Sequence, residues 1–252
     1  MIHFVGAGPG AADLITVRGA ELLKAADLII YAGSLVSPVL LDYAKPGTVA
    51  LNSAKMTLDE VVAALSAAHF EGKMAVRLHT GDPSVYGAIR EQMDALDTLN
   101  VPYDICPGVS SFCGAAAALR AEYTLPAVSQ SVIITRMAGR TPVPEGEGIA
   151  SFAAHGATMV IFLSAGMAEG LQRELLAGGY DVDTPAAIVY RASWPDERVI
   201  RCTVGTLAET SKESGITNHA LIVVGHCLGD TYELSKLYDP GFTTAFRQGT
   251  DR

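Results

Sequence analysis

The stretch IHFVGAGPGAADL at residues 2–14 decides the fold, because a short apolar strand passes directly into a glycine-rich loop that leads to a helix. Three further strands are predicted in this half of the chain, at 27–31, 73–79 and 103–111. Helices are predicted between them, near 16–26, 57–70 and 89–99. Strands that alternate with helices of this length are typical of βαβ units, which form a parallel sheet.

The second half of the chain has a different pattern, in which strands predominate. Its strand-like runs lie at 132–136, 158–163, 186–191, 198–204 and 219–225. Only Ala192 to Glu197 separate the third run from the fourth, which is too short for a crossover helix, so we expect these two strands to pair antiparallel. A capping box formed by Thr206 and Glu209 predicts a helix after the fourth run.

The fold class is therefore α/β with two α/β domains. The N-terminal domain, at 1–120, is expected to contain a mostly parallel sheet, and the C-terminal domain, at 128–230, a mixed sheet. Residues 231–252 are expected to form a loosely packed tail.

Composition excludes several classes of protein. The formal net charge of −9 disfavours a nucleic-acid binder, which usually carries a basic face. No run approaches the roughly 18 apolar residues of a membrane helix, and the start lacks the features of a signal peptide, so a cytoplasmic protein is expected. The four cysteines are widely separated and include no CxxC pair, so neither disulfides nor a metal site are expected.

Four glycine-rich turns follow strands of the N-terminal half, at 5–13, 31–38, 80–87 and 107–115. The first departs from the dinucleotide fingerprint, because Ala11 stands at the third glycine position and Pro9 lacks an amide donor. Turns that follow parallel strands lie at one edge of the sheet, where ligands bind in open α/β folds. The turns therefore predict a ligand that is held by backbone groups.

Six segments carry a resemblance to a known family: GAGPG (6–10), ADLIIYAGSLVSP (26–38), TGDPSVYG (80–87), PGVSSFCGAAA (107–117), TRMAGRTPVP (135–144) and NHALIVVG (218–225). In these segments the chain resembles the tetrapyrrole (corrin/porphyrin) methyltransferases, to about Asp230. YAGSLV and GRTPVP are similar to the branch that methylates C11 of precorrin-4 or cobalt-precorrin-4 in cobalamin biosynthesis.

The resemblance implies the tetrapyrrole methylase fold of class III methyltransferases, a homodimer, and direct methyl transfer in a cleft between the domains. It implies S-adenosylmethionine as cofactor, S-adenosylhomocysteine as product and an anionic tetrapyrrole as substrate. Carried over by position, the cofactor residues are Gly8, Pro9, Gly81, Asp82, Val85, Ser110, Ser111, Leu163, Ala192 and Ala220. Candidate substrate residues are Tyr86, Arg136 and Arg140, and no residue is predicted to be catalytic.

Alternatives stay open. The first is a methyltransferase of the same fold that acts on another ring position, on diphthine or on ribosomal RNA. The second is a nicotinamide-dependent oxidoreductase, although no acidic residue follows the strand at 27–31 to hold the ribose. The third is a carrier that holds the tetrapyrrole without methylating it. Among single residues, His79 and His219 are expected to be structural, and Trp194 either covers the cleft or lies in an exposed turn.

Overall fold

The computed structural model describes residues 1–250, and residues 251 and 252 of the expected tail lie outside the described part. The chain forms two compact units. The first contains Met1–Ala115 and the separate segment Arg191–Glu197, and the second contains Ala116–Tyr190 and the described residues from Arg198 onward. None of the helices in residues 1–250 is long and apolar enough to cross a bilayer.

The first unit is built on a parallel sheet of five strands. In chain order these are β1 (Ile2–Gly6), β2 (Leu28–Tyr31), β3 (Val49–Asn52), β4 (Ala75–His79) and β5 (Tyr103–Cys106). Their order across the sheet is β3-β2-β4-β1-β5, and every neighbouring pair is parallel. The predicted parallel sheet is confirmed. The short edge strand β3 was not predicted.

Helices cover both faces of this sheet. They are α1 (Val17–Ala25), α2 (Leu58–Phe70), α3 (Arg90–Thr98) and α4 (Ser111–Leu119), of which α4 begins in the first unit and ends in the second. One apolar core packs α2 and α3 against Ile2, Phe4 and Ile30, while the opposite core packs α1 against Val5 and Ile29. The capping box of Thr57 and Glu60 is present and begins α2.

The second unit is built on a mixed sheet of five strands. These are β6 (Val132–Arg136), β7 (Thr158–Phe162), β8 (Pro185–Tyr190), β9 (Arg198–Thr203) and β10 (Ala220–Val224). The order is β6-β7-β10-β8-β9, in which only the β6–β7 pair is parallel among the described strands. The predicted antiparallel pairing of β8 with β9 is confirmed, as is the mixed sheet.

Three helices, α5 (Ile149–Ala153), α6 (Ala168–Ala177) and α7 (Leu207–Ser214), complete the second unit. Leu171 of α6 and Leu207 of α7 are fully buried against the apolar core that the sheet provides. The predicted capping box at the start of α7 is wrong. The Thr206 hydroxyl instead accepts a hydrogen bond from the Thr203 amide, 3.1 Å away, and caps the preceding short turn.

The C-terminal tail folds back on itself. The Arg247 guanidinium donates hydrogen bonds to the carbonyl oxygens of Leu237 and Asp239, at 2.9 and 2.6 Å. Several large apolar side chains of this tail stay exposed, among them Leu234, Tyr238 and Phe246.

Candidate functional site

The candidate site lies at the carboxyl edge of the first sheet. Because β1, β2, β4 and β5 are parallel, the four glycine-rich turns that follow them lie at the same edge. Two of them are joined by a pair of hydrogen bonds. The Gly8 amide donates to the Gly81 carbonyl oxygen at 3.2 Å, and the Gly81 amide donates to the Gly8 carbonyl oxygen at 2.8 Å.

Three of the turns are in backbone contact. A Cβ on Gly6 would lie 2.5 Å from the Gly108 Cα, and a Cβ on Gly108 would lie 2.2 Å from the Gly81 carbonyl oxygen. No side chain fits at either place, since real Cβ atoms do not approach backbone so closely. The sequence therefore uses glycine here to bring three chain segments together and to leave backbone groups along the edge.

Asp82 fixes the turn at 80–87 to the turn at 107–115. Its carboxylate accepts a hydrogen bond from the Gly108 amide at 2.8 Å, and it accepts two more from the amide and hydroxyl of Ser84. Partial burial alone would raise the pKa of this carboxyl, but these three hydrogen bonds outweigh that effect and hold the pKa below its usual value. Asp82 is therefore ionised at neutral pH, and it joins two segments of the candidate site.

Trp194 packs on the loop that follows β1. Its indole nitrogen donates to the Pro9 carbonyl oxygen at 3.1 Å, and a Cβ on Gly10 would lie 2.1 Å from the indole ring. The Ala11 amide donates to the Ser193 hydroxyl at 3.0 Å, and the Arg191 guanidinium lies 4.0 Å from the indole centroid. The predicted site residue Ala192 belongs to the same segment, which thereby covers the first glycine loop.

Helix α4 begins at this edge as well. The carbonyl oxygen of Ser110 accepts hydrogen bonds from the amides of Cys113 and Gly114, so Ser110 starts the helix. Ser111 lies against Gly81, where an added Cβ would be 3.1 Å from both its amide nitrogen and its hydroxyl. The small residues of α4 allow close packing, since a Cβ on Gly114 would lie 2.7 Å from the Pro9 ring.

The structure thus brings together most of the predicted cofactor residues at one edge of the first unit: Gly8, Pro9, Gly81, Asp82, Val85, Ser110, Ser111 and Ala192. The candidate substrate residue Tyr86 lies in the same turn as Val85 and is 45% exposed. Its backbone is left-handed, with φ of 56°.

The other predicted residues belong to the second unit and share one edge of its sheet. Leu163 directly follows β7 and is 62% exposed, with a left-handed φ of 53°. Ala220 begins the antiparallel neighbour β10 and pairs with Tyr190, at the end of β8. Arg136 ends β6, opposite Phe162 of β7. The register therefore places Leu163, Ala220 and Arg136 at the same edge of the sheet, because β10 runs antiparallel to β7.

The two candidate arginines differ in their surroundings. The Arg136 guanidinium donates to the carbonyl oxygens of Thr141 and Pro142, at 3.1 and 2.6 Å, and so holds the loop that contains GRTPVP. Arg140 lies in that loop and is exposed. Arg136 therefore has a structural task that the sequence did not indicate.

His79 is buried at the end of β4 and stacks on Phe4, with ring centroids 6.2 Å apart. Burial, and to a smaller extent the charge of Arg77, lower the pKa of the imidazole to about 3, so it is neutral at physiological pH. Its Nε2 has no hydrogen-bond partner among the described residues. His79 is thus a buried residue of the core, in line with the structural role expected from the sequence.

Sequence reasoning missed a buried polar pair beside His79. Arg77 of β4 is 7% exposed and Gln92 of α3 is 5% exposed. The Arg77 Nε donates to the Gln92 side-chain oxygen at 3.0 Å. A charged residue inside the strand AVRLH was the available signal, because alternation places Arg77 on the same apolar face as Ala75.

The family model for Tetrapyrrole (Corrin/Porphyrin) Methylases matches residues 1–208 of the chain. The match includes all four glycine turns of the first unit and reaches past β9 of the second. The chain is a member of the tetrapyrrole (corrin/porphyrin) methylase family. The family predicted from the six sequence segments is confirmed.

Curated relatives of this methylase match it along nearly its whole length. The cobalt-precorrin-4 C(11)-methyltransferase of Methanocaldococcus jannaschii is 50% identical over 248 residues, which cover 98% of this chain and 96% of the relative. The precorrin-4 C(11)-methyltransferase of a Sinorhizobium species is 46% identical over 248 residues, which cover 98% of each.

Solved structures of two methyltransferases have the same fold. The X-ray structure of a cobalt precorrin-4 methyltransferase, described as a cobalamin biosynthetic enzyme, aligns with a TM-score of 0.89 at 46% identity and covers 91% of this chain and 96% of that one. The uroporphyrin-III C-methyl transferase of Thermus thermophilus, complexed with S-adenyl homocysteine, aligns with a TM-score of 0.77 at 27% identity and covers 90% and 93%. The predicted fold class is confirmed.

Proposed function

We propose that the chain is an S-adenosylmethionine-dependent methyltransferase that methylates C11 of precorrin-4 or cobalt-precorrin-4. The product would be precorrin-5 or cobalt-precorrin-5A, in cobalamin biosynthesis. The observation that carries the proposal is identity of 50% and 46%, along 98% of the chain, to enzymes that bear these two names. The uroporphyrinogen-III C-methyltransferase of Bacillus subtilis is only 31% identical over 239 residues, which favours the C11 reaction over that of the uroporphyrinogen branch.

The carboxyl edge of the first sheet fits the proposed cofactor. Gly6 and Gly108 leave no room for a Cβ, and Gly81 leaves little, with 3.1 Å to Ser111. All three positions offer backbone groups instead, as a ligand held by the main chain requires. We assign cofactor contacts to Gly8, Pro9, Gly81, Asp82, Val85, Ser110, Ser111 and Ala192 of the first unit, and to Leu163 and Ala220 of the second. When bound, S-adenosylmethionine supplies a methyl group on a sulfonium that is already activated for transfer.

The residues of the chain then have to orient the cofactor and the substrate, because the methyl group needs no further activation. Orientation alone supplies effective molarities of about 10⁵–10⁸ M in well-aligned reactions. Asp82 serves this purpose through its hydrogen bonds to Gly108 and Ser84, which fix two turns of the site relative to each other. The neutral imidazole of His79 is buried at the end of β4, directly before the turn at 80–87. We assign substrate contacts to Tyr86, Arg136 and Arg140, because a substrate with several carboxylates needs donors on the protein.

We also propose that the methyltransferase is a cytoplasmic homodimer. The family resemblance supports the dimer. The four cysteines, all within the described part of the chain, are free thiols, as expected in a reducing compartment. Light scattering coupled to size exclusion would test the dimer, and a mass of 26.4 kDa in solution, that of one chain, would contradict it.

Titration calorimetry with S-adenosylhomocysteine tests the cofactor site. We expect one site per chain, weakened in Gly81→Ala, because the new Cβ would press on Ser111. Gly72→Ala is the matched control: Gly81 and Gly72 both have positive φ, at 59° and 73°, but the Cβ at residue 72 would meet nothing within 4 Å. Equal loss in both variants would show that backbone strain, and not the site, is responsible.

Incubation with S-adenosylmethionine and one tetrapyrrole at a time tests the reaction. Mass spectrometry should show one added methyl group on precorrin-4 or cobalt-precorrin-4 and none on uroporphyrinogen III. Methylation of uroporphyrinogen III alone would overturn the C11 assignment. A folded protein that binds NAD and not S-adenosylhomocysteine would favour the oxidoreductase alternative.

A further inference from the structure

The turn that contains Tyr86 is held in an unfavourable backbone conformation. Both Tyr86 and Ala88 have positive φ, at 56° and 49°, although neither is glycine. Between them, Gly87 packs so closely on Pro83 that an added Cβ would lie 2.1 Å from the Pro83 carbonyl oxygen. Left-handed residues other than glycine persist only where the surrounding structure enforces them, and such positions concentrate at functional sites.

A chain of buried hydrogen bonds, here called the relay, anchors the end of this turn. The Gln92 side-chain amide donates to the Ala88 carbonyl oxygen at 2.9 Å, while its side-chain oxygen accepts from the Arg77 Nε at 3.0 Å. Arg77 also donates to the Ile30 carbonyl oxygen at 3.2 Å. The relay thus runs from strand β2 through β4 and α3 to the end of the turn, and its acceptors are neutral.

The two halves of this segment, 80–84 and 85–88, are therefore anchored separately. Asp82 ties the first half to Gly108, beside the residues that we assign to the cofactor. Gln92 ties the second half to Arg77. We infer that Gln92 and Arg77 are positioning residues for the tetrapyrrole: through Ala88 they hold Tyr86 in the orientation that receives the substrate, independently of the cofactor half. This inference rests on the proposed function.

Three features favour a substrate role for the second half over a purely structural one. Tyr86 is 45% exposed at the carboxyl edge, where ligands bind in parallel sheets. Within residues 1–250, the buried Arg77 guanidinium donates only to neutral acceptors, which is costly for folding, so packing alone does not explain Arg77. Gly87 packs directly on the Pro83 backbone, and a turn packed this closely suits a surface that must orient a large ring.

The test distinguishes the two halves because the KM for the tetrapyrrole reports on the second half and the Kd for S-adenosylhomocysteine reports on the first. Gln92→Met removes both relay bonds, and Gln92→Glu keeps the acceptor for Arg77 but loses the donor to Ala88 at neutral pH. We expect both variants to raise the KM for the tetrapyrrole at least fivefold, while the Kd for S-adenosylhomocysteine changes less than twofold. Gln172→Met is the matched control, because it removes a side-chain bond to the Ala208 amide outside the first unit. It should leave the KM unchanged.

A double-mutant cycle shows whether Gln92 acts through Tyr86. Tyr86→Ala should raise the KM by a similar factor, and the double variant with Gln92→Met should raise it no further. Hydrogen exchange at the amides of residues 84–88 should quicken in Gln92→Met and stay unchanged at residues 108–111.

Either an unchanged KM in folded Gln92→Met, or a Kd for S-adenosylhomocysteine that weakens by the same factor as the KM, would overturn the inference. Multiplicative effects in the double variant would do so too. Failure of the proposed function is recognised separately, because wild-type protein would then neither methylate nor bind the tetrapyrrole, and the inference would fall with it.

Discussion

Replacing Gly108 by alanine should damage both the stability of the first unit and its affinity for the cofactor. The new Cβ would lie 2.2 Å from the Gly81 carbonyl oxygen and 2.7 Å from the Gly6 Cα, whereas real Cβ atoms keep at least 3.0 Å. One of the turns must therefore move by about 0.8 Å. The Gly81 carbonyl oxygen also accepts the hydrogen bond from the Gly8 amide, so this movement opens the bridge between the first and third turns.

The magnitude follows from the kind of atoms involved. Overpacking costs about 1–3 kcal/mol, and the upper end applies here because both obstacles are backbone atoms that cannot rotate away. A loss of about 3 kcal/mol lowers the Tm by roughly 6–12 °C in a chain of this size. Loss of the bridge should raise the Kd for S-adenosylhomocysteine at least about tenfold, which corresponds to roughly 1.4 kcal/mol.

Scanning calorimetry and S-adenosylhomocysteine titration measure both effects. Gly148→Ala is the control, because Gly148 has φ of −66° and a Cβ there would meet nothing within 4 Å. It should change the free energy of unfolding by less than about 1 kcal/mol. If Gly108→Ala melts within about 2 °C of wild type and binds the product normally, the close packing of the turns does not form the cofactor site.

Three other predictions concern single side chains. Trp194, the one tryptophan of the chain, lies on Pro9, so S-adenosylhomocysteine should change its fluorescence emission; an unchanged spectrum at saturation would contradict the assigned site. The pKa of His79 is about 3 in the folded protein and about 6.5 when unfolded. The free energy of unfolding should therefore keep its full His79 contribution above pH 6.5 and fall by up to about 1.4 kcal/mol per pH unit as the pH drops toward 3. Urea midpoints at pH 7 and 5 measure this, and His79→Phe should remove that part of the difference. Asp82→Ala loses a charge-assisted hydrogen bond from the Gly108 amide, so it should lower the free energy of unfolding by about 1.5–3 kcal/mol and weaken product binding. Asp82→Asn should lose less of both, because its side-chain oxygen can still accept one hydrogen bond. Equal loss in both variants, in the same urea and ligand titrations, would show that only the charge matters.

The fold was predictable because its main elements carry local signals. Apolar runs alternate with helical segments in the first half, and the short Ala192–Glu197 connection requires an antiparallel pair in the second. Strand β3 was missed because Val49–Asn52 is a four-residue edge strand with little burial and so lacks the apolar run of the inner strands. Edge strands of this kind depend on their neighbour and not on their own composition.

The candidate site was predictable only where backbone determines it. Four glycine turns after parallel strands must share an edge, whatever the remaining sequence. The contact of Trp194 with Pro9 spans 185 residues, and the pairing of Arg77 with Gln92 depends on how α3 packs on the sheet. No local pattern encodes such contacts. Likewise, the task of Arg136 depends on the path of its own loop, which the residue types do not fix.

The location of Arg191–Glu197 has a consequence for how the protein folds. This segment connects β8 to β9 of the second sheet, yet it packs with the first unit and covers its glycine loop. The backbone thus passes from one unit to the other three times, after residues 115, 190 and 197. A fragment that ends at residue 115 would lack the cover for its own first loop. We therefore expect the two units to unfold in a single cooperative transition. We also expect the first unit to complete its folding only after residue 197 has been synthesised.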